Sequence, residues 1–88
     1  MPPKIKSVFN SKTHRKIILF FTENQGSIDT PRGISAWINE NIQKVRVALE
    51  ELVEGGFLKA HRTSSTVGYS CALGRKALER ISSQIKKK

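Results

Sequence analysis

The 88-residue chain is poor in several things at once: one cysteine, two histidines, seven acidic residues and no long apolar run. With no second cysteine there is no intrachain disulfide, and Cys71 with His14 and His61 falls short of the four ligands of a structural zinc site. The fold is therefore expected to stand on packing alone. No segment approaches the ~18 apolar residues of a membrane span, and MPPKIKSVFN lacks the apolar centre of a signal peptide, so a cytoplasmic location is expected. Carboxylates occur at Asp29, Glu40 and the cluster Glu50, Glu51 and Glu54, but no nucleophile, phosphate-cradling glycine loop or metal constellation accompanies them. These shortages argue against an enzyme and call for no cofactor or small-molecule ligand.

What the chain does carry is positive charge. Sixteen Lys and Arg give a net charge of +9, which points to an anionic partner. Nucleic acid comes first; structured RNA, an acidic protein or an anionic membrane surface are also compatible with charge alone. The charge is unevenly placed. Residues 1–22 hold five cations and no acid, residues 23–54 three cations and six acids, and residues 55–88 eight cations and one acid. A chain of this length buries only about 60–65% of its extended surface, which fits a single small core.

Periodicity divides the chain. Residues 1–10, with two prolines and two lysines, read as a basic arm; residues 11–85 read as the folded domain; residues 86–88 read as a solvated basic tail. A first helix is expected from an N-cap at Asn10 or Ser11 to about Asn24, burying Ile17, Phe20 and Phe21 and wetting Lys12, Arg15 and Lys16. Ser27-Ile28-Asp29 reads as a short extended link. Thr30-Pro31 is an N-cap followed by proline at the first helical position, opening a short helix with Ile34, Trp37 and Ile38 on one stripe. Asn39 suits a left-handed turn residue.

The stretch Asn41 to Gly56 is the most clearly patterned. Ile42, Val45, Leu49 and Leu52 recur at three- and four-residue steps beside Ala48, while Gln43, Lys44, Arg46 and Val47 point elsewhere. Asn41 can cap the first turn, and Gly55-Gly56 can end the last one. The exposed face is cationic in its first half and acidic in its second. After Gly56 the period falls to two: FLKAHR and VGYSCA form an expected hairpin around Thr63-Ser64-Ser65-Thr66. Leu73 to Ile85 then returns to helical spacing, with Leu73, Ala77, Leu78, Ile81 and Ile85 on one side.

Two short helices joined by a tight turn and followed by a hairpin make an α+β arrangement of helix, strand, helix, helix, two-stranded wing and helix. That order resembles the winged helix-turn-helix superfamily, most closely the MarR-like and ArsR-like prokaryotic transcription regulators. The resemblance covers roughly residues 12–82 and is strongest at Leu49 to Leu58, LEELVEGGFL, which is similar to the end of a recognition helix and the start of a wing. Ile34, Ser35, Ile38, Asn39 and Val45 fall at the positions of the family's helix-turn-helix signature, although Glu40 stands where an apolar turn residue is common.

The resemblance implies a double-stranded DNA partner, a small transcriptional regulator and a nucleoid-associated place in the cell. It implies that the first turns of helix 41–54 meet base edges in the major groove, through Asn41, Gln43, Arg46 and Val47, with Arg46 suited to guanine, Gln43 to adenine and Val47 to a thymine methyl. Phosphate contacts are expected from Arg32, Lys44, His61, Arg62, Thr63, Ser64 and Ser65. Several bland readings stand beside these. The polar face of helix 41–54 can be solvated surface, the TSST tip can be a plain hairpin loop, Trp37 is expected in the core, and Cys71 is expected to be buried. His14 and His61 are read as surface residues. Ile81 and Ile85 can either close the monomer core or form a homodimer through the terminal helices. A winged helix used for protein assembly, and an RNA-binding protein, remain the alternatives.

Overall fold

A computed structural model describes residues 11–86, with side chains through Gln84. The arm expected over residues 1–10, the side chain of Ile85 and most of the tail lie outside the described residues. Helices α1 (Lys12–Glu23), α2 (Pro31–Ile38) and α3 (Ile42–Glu54) precede strands β1 (Leu58–Arg62) and β2 (Val67–Cys71), and helix α4 (Arg75–Lys86) follows. The architecture is the expected α+β one.

Local chemistry explains the boundaries. The Ser11 hydroxyl accepts from the His14 N–H and the Thr30 hydroxyl from the Gly33 N–H, while the Asn41 side chain accepts from the N–H groups of both Gln43 and Lys44. Each thereby satisfies donors that a first helical turn leaves free. Asn39 ends α2 in the left-handed region at φ 58° and ψ 53°, which turns the chain sharply enough for α3 to begin three residues later. The Gly56 φ of 85° does the same after α3, and the Phe57 N–H returns to the Leu52 carbonyl at 2.9 Å.

The core collects one face of every element. Ile17, Ile18, Phe20 and Phe21 of α1 meet Ile34 and Ile38 of α2 and Val45, Ala48, Leu49 and Leu52 of α3, closed by Phe57, Leu58, Tyr69 and Leu78. Ile18 belongs to it although only Ile17, Phe20 and Phe21 were expected from α1. On α4 the buried stripe is narrower than its spacing suggests. Leu78 and Ser82 are buried and Ile81 is partly so, whereas Ala77, one residue off that stripe, is exposed.

Strands β1 and β2 pair antiparallel, with Leu58 opposite Cys71 and Arg62 opposite Val67. The short link before α2 joins the other side of β2 through one isolated bridge: the Asp29 N–H donates to the Tyr69 carbonyl at 3.0 Å, and the Tyr69 N–H returns to the Asp29 carbonyl at 2.7 Å. Ile28 lies over Gly68, where a methyl group would approach its side chain to 2.8 Å, so glycine permits the close docking of link and wing.

Trp37 corrects an expectation. Its apolar spacing on α2 suggested the core, yet it is 59% exposed and meets Phe20 of α1 edge-on, ring centres 5.2 Å apart. Pro31, Ile34 and Ile38 already take the buried side of so short a helix. Cys71 is only partly buried, with its thiol 3.5 Å from the Leu73 carbonyl.

Candidate nucleic-acid interface

The exposed residues of α3 fan out over two grooves. On one side Arg46 and Glu50 face a cleft of about 590 Å³, whose other walls are the start of α2 (Thr30, Pro31 and Arg32) and the wing (Arg62, Ser65, Thr66, Val67 and Tyr69). On the other side Gln43, Lys44 and Val47 face a groove of about 580 Å³ against the start of α1, lined there by Ser11, Lys12, Thr13 and His14. The ridge between the two grooves is the candidate contact surface. It carries Gln43, Lys44, Arg46 and Val47 as exposed side chains, Val47 at 59%. An exposed valine on a cationic helix face costs apolar surface in water and gains only if an apolar group covers it.

Asn41 sits at the head of this ridge, but its side-chain oxygen is committed to the α3 cap, at 2.8 Å from the Gln43 N–H and 3.4 Å from the Lys44 N–H. Its amide nitrogen is what remains for an outside acceptor. Arg32 is exposed at the capped start of α2, on the wall of the first cleft.

The wing tip is a closed turn. The Thr63 N–H donates to the Thr66 carbonyl at 2.9 Å, and the Thr63 hydroxyl accepts from the Thr66 N–H at 3.1 Å, so Thr63 shapes the tip. Ser64 and Ser65 are exposed at its end. His61 does not stand free: its Nε2 lies 2.7 Å from the Ser70 hydroxyl on the outer face of the hairpin, away from α3. His14 is likewise more than surface. Its side chain is 12% exposed and reaches Glu51 on α3 at 2.7 Å, while its Nδ1 is buried without a hydrogen-bond partner. Reading these two as plain surface residues overlooked that each packs beside a polar group across an element boundary.

Arg62 points into the cleft and is already engaged. Its Nη2 lies 2.9 and 3.1 Å from the two carboxylate oxygens of Glu50, and the Tyr69 hydroxyl donates to Oε2 of the same carboxylate. The Tyr69 hydroxyl and then Arg62 hold the Glu50 carboxyl below the usual carboxylate range against an opposing effect of burial. Burial and the Glu50 hydrogen bond push Tyr69 up to about 12. Glu50 and Tyr69 were missed as members of the site. Glu50 falls four residues after Arg46 on the same helix face, which is the sequence signal that places it there. For Tyr69 the alternation of β2 gives only burial. Near the helix turn, Lys16 Nζ bonds Glu40 at 2.9 Å and the Ile38 carbonyl at 3.3 Å, which lowers the Glu40 pKa and accounts for an acid at a position commonly apolar.

Among the described residues no group of three or more His, Cys, Asp or Glu side chains could hold a metal, and no helix is long and apolar enough to cross a membrane.

No protein-family model and no curated protein matches the chain. Solved structures do. The homodimeric winged helix-turn-helix DNA-binding domain of a possible ArsR-family transcriptional regulator from Mycobacterium bovis superposes with a TM-score of 0.67 at 15% identity, covering 93% of this chain and 71% of that one. A possible transcriptional regulatory protein fragment from the same organism gives 0.66 at 18% identity, covering 91% and 81%. A possible transcriptional regulator from Methanosarcina mazei gives 0.66 at 13% identity, covering 94% and 73%. The class of fold is thereby defined: this is a winged helix-turn-helix fold, with α2 and α3 as the helix-turn-helix and the β1–β2 hairpin as the wing.

Proposed function

We propose that the chain is a small DNA-binding transcriptional regulator that lays the first two turns of α3 in the major groove and brings the α2 start and the wing against the flanking backbone. The observation that carries this reading is the exposed ridge of Gln43, Lys44, Arg46 and Val47 between two open grooves, on a chain of charge +9. A helix of about 10 Å diameter fits the major groove, and residue types of this kind can read base edges there. Arg46 and Gln43 serve as hydrogen-bonding readers and Val47 as an apolar one. Lys44, Arg32, Ser64 and Ser65 supply phosphate contacts. The described surface offers groups suited to DNA recognition.

The M. bovis neighbour is a homodimer, and a two-fold dimer here would read half-sites about 10 bp apart or a multiple of that. Ile81 packs against the core, and among the described side chains the exposed side of α4 offers Arg75, Lys76, Ala77, Glu79, Arg80, Ser83 and Gln84 to a seam through the terminal helices. Exposed Trp37 favours a second reading, a winged helix used for protein assembly.

Filter binding to random duplex DNA over a salt series separates the two. A DNA-binding domain gives a linear fall of log affinity with log salt, with a slope of about −0.9 per neutralised phosphate. Lys44→Ala is expected to reduce that slope by about one unit at every sequence, and Arg46→Ala to relax sequence preference in sites selected from a random pool. Parent-like binding by both variants would refute the assignment of α3. The absence of any salt-dependent duplex binding would favour assembly, and preference for structured RNA in competition would favour RNA.

A further inference from the structure

We propose that Glu50 is a positioning residue that holds the wing cation Arg62 in the cleft and withholds it from DNA phosphate, so that the interface works with one free cation fewer than the wing carries. The inference rests on the DNA-binding reading above. Arg62 and Glu50 stand on different elements, β1 and α3, and meet across the cleft that also contains Arg32 and Arg46. Nη2 is within 3.1 Å of both Glu50 oxygens, the arrangement that a phosphate offering two oxygens would reproduce. The carboxylate is not free to swing away. It is also bonded by the Tyr69 hydroxyl, and Tyr69 is 2% exposed and anchored by its two backbone bonds to Asp29.

The pair itself is open to water, with side-chain exposures of 59% for Arg62 and 47% for Glu50. An ion pair so exposed is weak, and a duplex backbone can compete for its cation. The competition has a cost, because a phosphate that takes Arg62 brings its own charge close to the Glu50 carboxylate one turn below Arg46. A neutral residue at position 50 removes both obstacles.

The test uses the parent, Glu50→Gln and Glu50→Gln/Arg62→Ala, each bound to random-sequence duplex DNA between 50 and 200 mM salt, with thermal melts run alongside. Glutamine keeps one oxygen to accept from Tyr69, loses the charge, and turns the second acceptor toward Arg62 into an N–H donor. The expected result is that E50Q steepens the salt slope by about 0.9, which makes the affinity loss over this range about 3.5-fold larger than for the parent. Removing Arg62 in the E50Q background should return the slope to the parent value. A parent-like slope for E50Q overturns the proposal, and so does a steeper slope that survives the loss of Arg62, since acid repulsion alone would then explain it. Weaker binding by E50Q together with a lower melting temperature assigns Glu50 a merely structural role and also overturns it. If the parent and both variants all fail to bind duplex DNA, the DNA-binding reading itself fails and takes this inference with it; a parent that binds confines any failure to Glu50.

Discussion

Asn39 offers a test of how the helix-turn-helix angle is encoded. It is the one non-glycine residue with positive φ among the described residues, at φ 58° and ψ 53°, and its side chain is exposed. The left-handed conformation costs an ordinary L residue about 1–2 kcal/mol, a penalty asparagine bears more easily than alanine and glycine does not bear at all. The conformation is held by its surroundings. The Asn39 and Glu40 N–H groups both return to the Ser35 carbonyl, and the Ser35 hydroxyl donates to the Glu40 carbonyl at 2.6 Å. Asn39→Ala therefore keeps every one of these bonds and adds backbone strain, for an expected loss of about 1 kcal/mol. In a domain of this size that lowers the melting temperature by roughly 4–8 °C. Asn39→Gly relieves the strain but adds freedom to the unfolded chain, and the two effects should leave it within about 0.5 kcal/mol of the parent. Circular dichroism melts and urea titrations measure both, with an unchanged urea m-value expected. The reasoning fails if alanine melts with the parent or if glycine falls as far as alanine.

Other perturbations act on the core and on charge. Leu49→Ala empties a fully buried position on α3 and should cost about 2–5 kcal/mol in urea unfolding, a large share of the roughly 5–15 kcal/mol typical of a folded domain. Raising the pH should weaken the fold between about 10 and 12. Tyr69 keeps its proton in the folded state up to about 12 while the unfolded chain releases it near 10, so its contribution is complete below pH 10 and lost above it. Tyr69→Phe should abolish that alkaline loss in pH-dependent melts. Toward acid the sign reverses: Glu40 and Glu50 both titrate below their ordinary 4.5 when folded, so the stability they add is present above that value and disappears as pH falls through the lowered range. Lys16→Ala should remove the Glu40 share, seen as a smaller difference between urea midpoints at pH 7 and pH 3.

Helix positions were legible because each carried several agreeing signals. Thr30-Pro31, Asn39, Asn41 and Gly56 all sit at the caps and turns that their side chains suit, and the α3 stripe of Val45, Leu49 and Leu52 is buried as its spacing requires. Trp37 shows where spacing stops being informative. On a helix of eight residues Pro31, Ile34 and Ile38 take the inner face, and Trp37 beside them stays outside. The separation of Gln43 and Val47 from Arg46 by the two grooves follows from helix geometry, but the walls of those grooves come from α1 and the wing, residues far away in the chain. The same distance hid the partners of Arg62 and His14. Each is a polar residue whose neighbour across space is unrelated to its neighbour in sequence, and charge counts alone could not show that a wing cation is already occupied.

The reciprocal bonds between Asp29 and Tyr69 also give the wing a measurable hinge. Both amides lie in one rung between the link and β2, so neither can exchange with deuterium until that rung separates. The two should therefore show the same protection factor and report a single opening event. The exposed Ser64 amide at the wing tip has no part in that rung and should exchange earlier. The protection shared by Asp29 and Tyr69 thus measures the free energy of parting the wing from the link before α2, separately from the unfolding of the whole domain.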